Sequence, residues 1–259
     1  LKESAKARWA GNLSGAGGSS LYYGNIFLMR MGSKNQTMIS AKTDNTGKDF
    51  SSDLESFTIE DYEVADSKNY KAETWFSAGT TAAPLDSRRT RFNRSALVSF
   101  DNSKKLSEDY TFNAHLDYYY DRLTSLYTGN TKYYLKDSSI TDNTFEAAKA
   151  YTHRADLKMH LKANTEKFYM YEGLKAGLAW QNAKTYTAGT YPNKQNAWTP
   201  LNSFQNNLKY IKNTDGGKTF TIASIIKYIT QNQNLEVNRD TSSAAADSLL
   251  QHQSINAKA

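Results

Sequence analysis

Cysteine is absent from all 259 residues, which excludes a disulfide framework and thiolate chemistry. Proline occurs only 3 times. Proline cannot donate to a strand ladder, so its scarcity suits long paired strands. No run approaches the ~20 apolar residues of a membrane-spanning helix. With 39% hydrophobic residues and a mean hydropathy of −0.72, the chain is too polar for transmembrane helices. A β-barrel escapes that limit, because only alternate residues of a strand face lipid. Also missing are an HExxH pair, a Walker loop, a strand-following GxGxxG and a GxSxG elbow. The opening Leu1-Lys2-Glu3-Ser4-Ala5 lacks the basic start, apolar core and cleavage site of a signal peptide. The expectation is a mature product or a piece of a longer protein.

Charge is present in both signs. Thirty-two basic residues against 26 acidic give a formal +6, spread through the chain and not gathered on one helix. Solvated loops and a polar interior explain this better than nucleic-acid binding. The carboxylates Glu60, Asp61, Glu63 and Asp66, and the run Asp44-Asn45-Thr46-Gly47-Lys48-Asp49, could be weighed as calcium loops. Neither has EF-hand spacing, and solvated acidic loops are the better reading. Of the four histidines, His115 and His160 fall on polar strand faces. His153 and His252 are expected in loops. No nucleophile–base pair can be placed, so no enzyme activity, metal or cofactor is expected.

The strongest positive signal is Tyr110–Asp121. Tyr110, Phe112, Ala114, Leu116, Tyr118 and Tyr120 alternate with Thr111, Asn113, His115, Asp117, Tyr119 and Asp121. Period-two alternation makes one apolar and one polar face. The aromatic ends lie roughly 33 Å apart along such a strand. Tilted, that is about 25 Å of height, the apolar band of an outer-membrane barrel with an aromatic girdle at each interface.

Other segments repeat the pattern. Ala5–Gly18 sets Ala7, Trp9, Gly11 and Leu13 on one side, and Leu21–Met31 sets Tyr23, Phe27, Met29 and Met31 together. Gln36–Lys42 alternates more weakly, and Phe92–Asp101 sets Ala96, Val98 and Phe100 against Ser95, Leu97, Ser99 and Asp101. Arg154–Asn164 sets Ala155, Leu157, Met159, Leu161 and Ala163 against Asp156, Lys158, His160, Lys162 and Asn164. Phe168–Gln181 carries Leu174, Ala176, Leu178 and Trp180 opposite Lys175. Glu172 breaks that strand's pattern, and a bulge near Glu172-Gly173 would turn Tyr169 and Tyr171 outward. Phe204–Asn213 and Thr219–Thr230 follow, the latter with Phe220, Ile222, Ile226 and Tyr228 on one face.

Gly32–Asn35, Asn102–Glu108, Asn164–Lys167 and Thr214–Gly217 are short, polar turns. Between them lie long polar stretches, Thr43–Arg91, Arg122–His153, Asn182–Ser203 and everything after Gln231, expected to be loops. Asp53–Asp61 could add a small element, and Leu126–Leu135 a hairpin around Gly129-Asn130. Short turns at one end and long loops at the other are the asymmetry of an outer-membrane barrel, short on the periplasmic side and long on the extracellular side. The count of nine strands does not close well. Either the chain is part of a larger barrel, or eight or ten strands close by themselves.

The fold expected is therefore all-β, an antiparallel transmembrane β-barrel over 1–239, with a helical or disordered tail over 240–259. Lipid-facing side chains are Tyr110, Phe112, Ala114, Leu116, Tyr118, Leu157, Met159, Leu161, Leu174, Leu178 and Trp180. Lumen-facing ones are Asp117, Asp121, Asp156, Lys158, His160, Lys162 and Lys175.

Particular stretches resemble a known family. These are Trp9-Ala10-Gly11-Asn12-Leu13-Ser14-Gly15, Tyr22-Tyr23-Gly24-Asn25 leading to Phe27, Lys42-Thr43-Asp44-Asn45-Thr46-Gly47-Lys48-Asp49, and Pro84-Leu85-Asp86-Ser87-Arg88-Arg89. Phe92-Asn93-Arg94-Ser95 followed by Leu97, and Tyr133-Tyr134-Leu135, belong with them. The first ~230 residues resemble the barrel region of TonB-dependent-receptor-like outer-membrane proteins of Bacteroidota, which carry a carboxypeptidase-regulatory-like domain. The resemblance implies a barrel of about 22 strands in the outer membrane of a Gram-negative bacterium. It also implies TonB-dependent uptake of a bulky nutrient, with outer-membrane lipids, surface lipoproteins and TonB as partners. Two rivals stand beside it: a receptor-shaped barrel serving as a structural subunit of an outer-membrane assembly or secretion complex, and a soluble all-β binding module.

Overall fold

Alternating side chains and sparse proline leave the backbone free to pair on both sides, and β2 to β9 do so. The computed structural model describes residues 8–54, 87–189, 192–214, 216–239 and 250–258. These form one antiparallel sheet whose strand order is the chain order. The strands are β1 (Arg8–Gly17), β2 (Tyr22–Met31), β3 (Asn35–Asp44), β4 (Phe92–Lys105), β5 (Tyr110–Tyr134), β6 (Ser139–Asn164), β7 (Phe168–Ala188), β8 (Asn193–Asn213), β9 (Thr219–Arg239) and β10 (Leu250–Lys258). The only helical pieces among the described residues are single turns at Ser51–Leu54 and Ser87–Thr90. Ten strands lie among the described residues, and β1 and β10 do not pair there, so the sheet they form is open.

Strand starts beside the short turns fall where the alternation and turn residues placed them. The turns of this end share one level, because each bonds to a neighbouring strand. Lys34, Asp109 and Lys167 carbonyls accept from the backbone N–H groups of Lys105, Asn164 and Asn213 at 2.8, 2.8 and 3.2 Å.

The opposite end corrects several expectations. Most of Arg122–His153 and Asn182–Ser203 is strand, not loop. β5 and β6 run 25 and 26 residues and turn only at 135–138, beyond Gly129-Asn130, which is itself paired in the ladder. These stretches lose apolar alternation because apolar and polar side chains are mixed on both faces, yet the backbone ladder does not need an apolar face to continue. In place of a helical or disordered tail, 250–258 pairs with β9. The region 45–91 is the one long connection whose ends are described. The carboxylates Glu60, Asp61, Glu63 and Asp66, the tail residues 240–249 and Ala7 lie outside the described residues, as does all of Asp53–Asp61 past the helical turn.

No bulge occurs at Glu172-Gly173. The β6–β7 and β7–β8 registers are constant through it, so Tyr169 and Tyr171 stay on the face of Lys175. Glu172 stays with Leu174, and its carboxylate accepts a hydrogen bond from the Asn206 amide. That bond removes the need for a register change.

Register assigns every side chain to one of two faces. All eleven residues expected to face lipid share one, and all seven expected to face a lumen share the other. On the first face a single row of ladder partners runs Gly11, Leu28, Ile39, Phe100, Leu116, Leu157, Ala176, Phe204 and Tyr228. In β2 this face takes Ile26 and Leu28, which leaves Tyr23, Phe27, Met29 and Met31 on the polar one.

Candidate functional site

The apolar face is bounded by two rows. The lower contains Tyr110, Ala163, Met170, Tyr210 and Ile222 as successive partners, with Phe168 packed on Tyr210 at 5.6 Å between ring centroids. The upper contains Tyr120, His153, Trp180 and Pro200. His153 is therefore in a strand, not a loop. Its ring stacks on Trp180 at 5.2 Å, and Tyr118 Oη lies 2.9 Å from its Nδ1. Between these rows on β5 to β9 the apolar face carries one carboxylate, Glu172, and no lysine or arginine. Just above the upper row it turns basic, with Arg122 and Lys149 over the Tyr151 ring at 5.8 and 5.4 Å.

The polar face carries two organised regions. The first is a knot where the start of the 45–91 connection folds back over β3, β4 and β5. Asp44, 0% exposed, accepts from the Thr46 and Lys48 backbone N–H groups at 2.7 and 3.2 Å. Gly47, whose φ of 93° favours glycine, donates its N–H to Asn93 Oδ1 at 2.9 Å. Asn93 donates to the Lys48 carbonyl and to Ser95 Oγ, and Ser95 donates to Asp121 Oδ1 at 2.6 Å. Arg91 closes the ring by donating to Asp121 at 2.6 Å and Asp49 at 2.7 Å. Phe50 and Leu54 then bury against Leu97 and Tyr119. The run Asp44 to Asp49 is thus a folded turn whose carboxylates are taken by its own backbone and by Arg91. Burial would push the Asp49 carboxyl up, but bonds from Ser51 and the Arg91 charge outweigh it and hold it below the usual 3.8.

The second region is a depression of about 340 Å³ close to the short turns. Met29 and Met38 are ladder partners on one side, and Lys158 and Lys175 on the other. Between them His115 is clamped, Nδ1 to Asp101 at 2.5 Å and Nε2 to Asp117 at 2.6 Å. Asn113 donates to His160 Nε2 at 2.6 Å. Asp156 is paired with Arg154 at 2.5 Å. Tyr171 also borders the depression, opposite Lys162 in the ladder and 5.7 Å from the His160 ring, while Asp121 on the same face belongs to the knot.

Sequence reasoning named Asp117, Asp121, Asp156, Lys158, His160, Lys162 and Lys175 as one face, and the register puts them there. It missed the clamp on His115 and the knot. The signals for the knot were the turn-forming run Asp44 to Asp49 and the apolar Phe50 and Leu54 just after it. His252 lies in β10 opposite Glu236. Chemically, the arrangement supplies paired charges and hydrogen-bond donors. No group of three or more histidine, cysteine, aspartate or glutamate side chains is placed to hold a metal ion among the described residues. Compared with known proteins, the chain matches no protein-family model, and no curated protein is similar to it.

Proposed function

We propose that this chain is part of a transmembrane β-barrel of the bacterial outer membrane, with its apolar face in hydrocarbon and its polar face lining the interior. The observation that carries the reading is the exposed apolar face: Leu116, Phe204 and Tyr228 are 48, 39 and 52% exposed although they sit in one continuous row. A patch of that extent marks contact with a membrane or a large partner. Its two bounding rows are ten residues apart on β5, or roughly 33 Å along the strand, which matches a tilted span. An open sheet edge in hydrocarbon leaves backbone groups unsatisfied at several kcal/mol each. Further strands therefore complete the barrel, in keeping with the large receptor type that the sequence resembles.

On this reading the activity is binding and passage of a bulky nutrient, driven through TonB, with no catalytic step. The folded 45–54 turn narrows the interior beside β3 to β5. A second reading is a receptor-shaped barrel acting as a structural subunit of an outer-membrane assembly. The 14 residues of β5 above Tyr120 favour it, since they raise a wall about 45 Å further along the strand for contact with surface lipoproteins.

The test is site-directed spin labelling at Leu116 and Leu157, with Asp117 and Lys158 as controls, in lipid vesicles. The first pair should report high oxygen and low polar-relaxant accessibility, and the second pair the reverse. Equal accessibility on both faces, or a chain that stays in solution without lipid, would falsify the reading. Loss of nutrient uptake on removing TonB separates the transporter from the structural subunit.

A further inference from the structure

Two same-face steps above the upper aromatic row, lysine faces lysine. Lys149 and Lys184 are direct ladder partners, and like charges directly opposite destabilise a sheet. Arg122 lies on the same face one step below Lys149, as the partner of Tyr151, and Lys194 one step beyond Lys184, as the partner of Tyr186. On β5 to β8 no carboxylate occupies this face at these levels. The nearest, Glu236 on β9, is opposite Asn196 and accepts from Asn238 at 3.4 Å. The lysines border a depression of about 480 Å³ whose apolar wall includes Leu126, Ala147 and Tyr186. Leu126 is 64% exposed.

We infer that this patch binds the phosphate-bearing headgroup of a membrane lipid. The inference rests on the membrane reading above. That reading puts Tyr120, His153 and Trp180 at the hydrocarbon boundary, so Arg122, the Lys149–Lys184 pair and Lys194, one, two and three same-face steps higher, stand at headgroup depth. A phosphate between Lys149 and Lys184 offsets their mutual repulsion and takes a charge-assisted hydrogen bond from each. Leu126 and Tyr186 then contact the sugar or glycerol part of the headgroup. Arg122 and Lys194 flank the pair on opposite sides, a spacing that suits a lipid with two phosphates better than one. The long-connection end carries the patch, so the outer leaflet supplies the lipid in the orientation proposed here.

The experiment is native mass spectrometry of the full chain released from vesicles that contain diphosphoryl lipid A and phosphatidylcholine. A spin label at Leu116 in the same preparation reports insertion. The wild type should retain lipid A and shed phosphatidylcholine. The triple variant Lys149→Gln, Lys184→Gln, Lys194→Gln should retain it about tenfold less or worse. The polar-face pair Lys158→Gln, Lys175→Gln should behave as wild type. Equal retention by the triple variant, equal retention of phosphatidylcholine, or displacement of lipid A by millimolar inorganic phosphate each overturns the inference. An inserted chain with any of these results leaves the barrel reading standing. A chain that does not insert overturns both.

Discussion

Arg91 illustrates how a single residue organises a loop. It joins Asp49, from the turn after β3, to Asp121 on β5, whose side chain is almost wholly enclosed. Arg91→Ala leaves Asp121 with only the Ser95 hydroxyl and should weaken docking of 45–54 by about 2 kcal/mol. Faster hydrogen exchange at Gly47 and Phe50, with the β6–β8 amides unchanged, is the expected result. Asp49 gives the same turn a pH dependence with a definite sign. Its folded-state pKa lies below its usual value. Its stabilisation is therefore present above the unfolded value of about 3.9 and is lost as pH falls through the folded one. Protease resistance of 45–54 should hold at about pH 5 and fall below about pH 4, and Asp49→Asn should remove that dependence.

At the scale of the element, local and long-range constraints can be separated. Gly11 sits in β1 where an added Cβ would come 2.1 Å from the Phe27 carbonyl, whereas at Gly15 the nearest atom is 3.4 Å away. Gly11→Ala should loosen β1 from β2 by about 1–3 kcal/mol, and Gly15→Ala should be almost silent. Amide exchange across β1 and β2 distinguishes them. The same contrast explains how much was legible in the sequence. Tyr110 and Phe168 begin strands where turn residues meet strict alternation, and both boundaries were readable. The far ends of β5 to β8 were not, because Thr124 to Asn130 and Asp142 to Lys149 have no single apolar side to report. Their pairing is decided by ladder hydrogen bonds that any residue except proline makes. Glu172 misled in the opposite way. A lone carboxylate on an apolar face argued for a register shift, when one amide from the next strand was enough to hold it.

For the molecule as a whole, the consequential question is what covers the apolar face. Leu116 lies at the middle of the row that runs from Gly11 to Tyr228, so Leu116→Arg should make insertion into vesicles about 2–4 kcal/mol less favourable, as read from urea titrations of refolding. An unchanged titration would mean that protein, not hydrocarbon, covers this face. The polar face could be assigned from the sequence by alternation alone. Which of its charges meet, and where the turn after β3 lands, depended on strands distant in sequence and could not. Every strand bonds only to its predecessor and successor, so each newly arriving hairpin finds its template already laid down beside it. Construction can then advance from one margin in the order of synthesis, and disassembly can peel back along the same route without disturbing the rest.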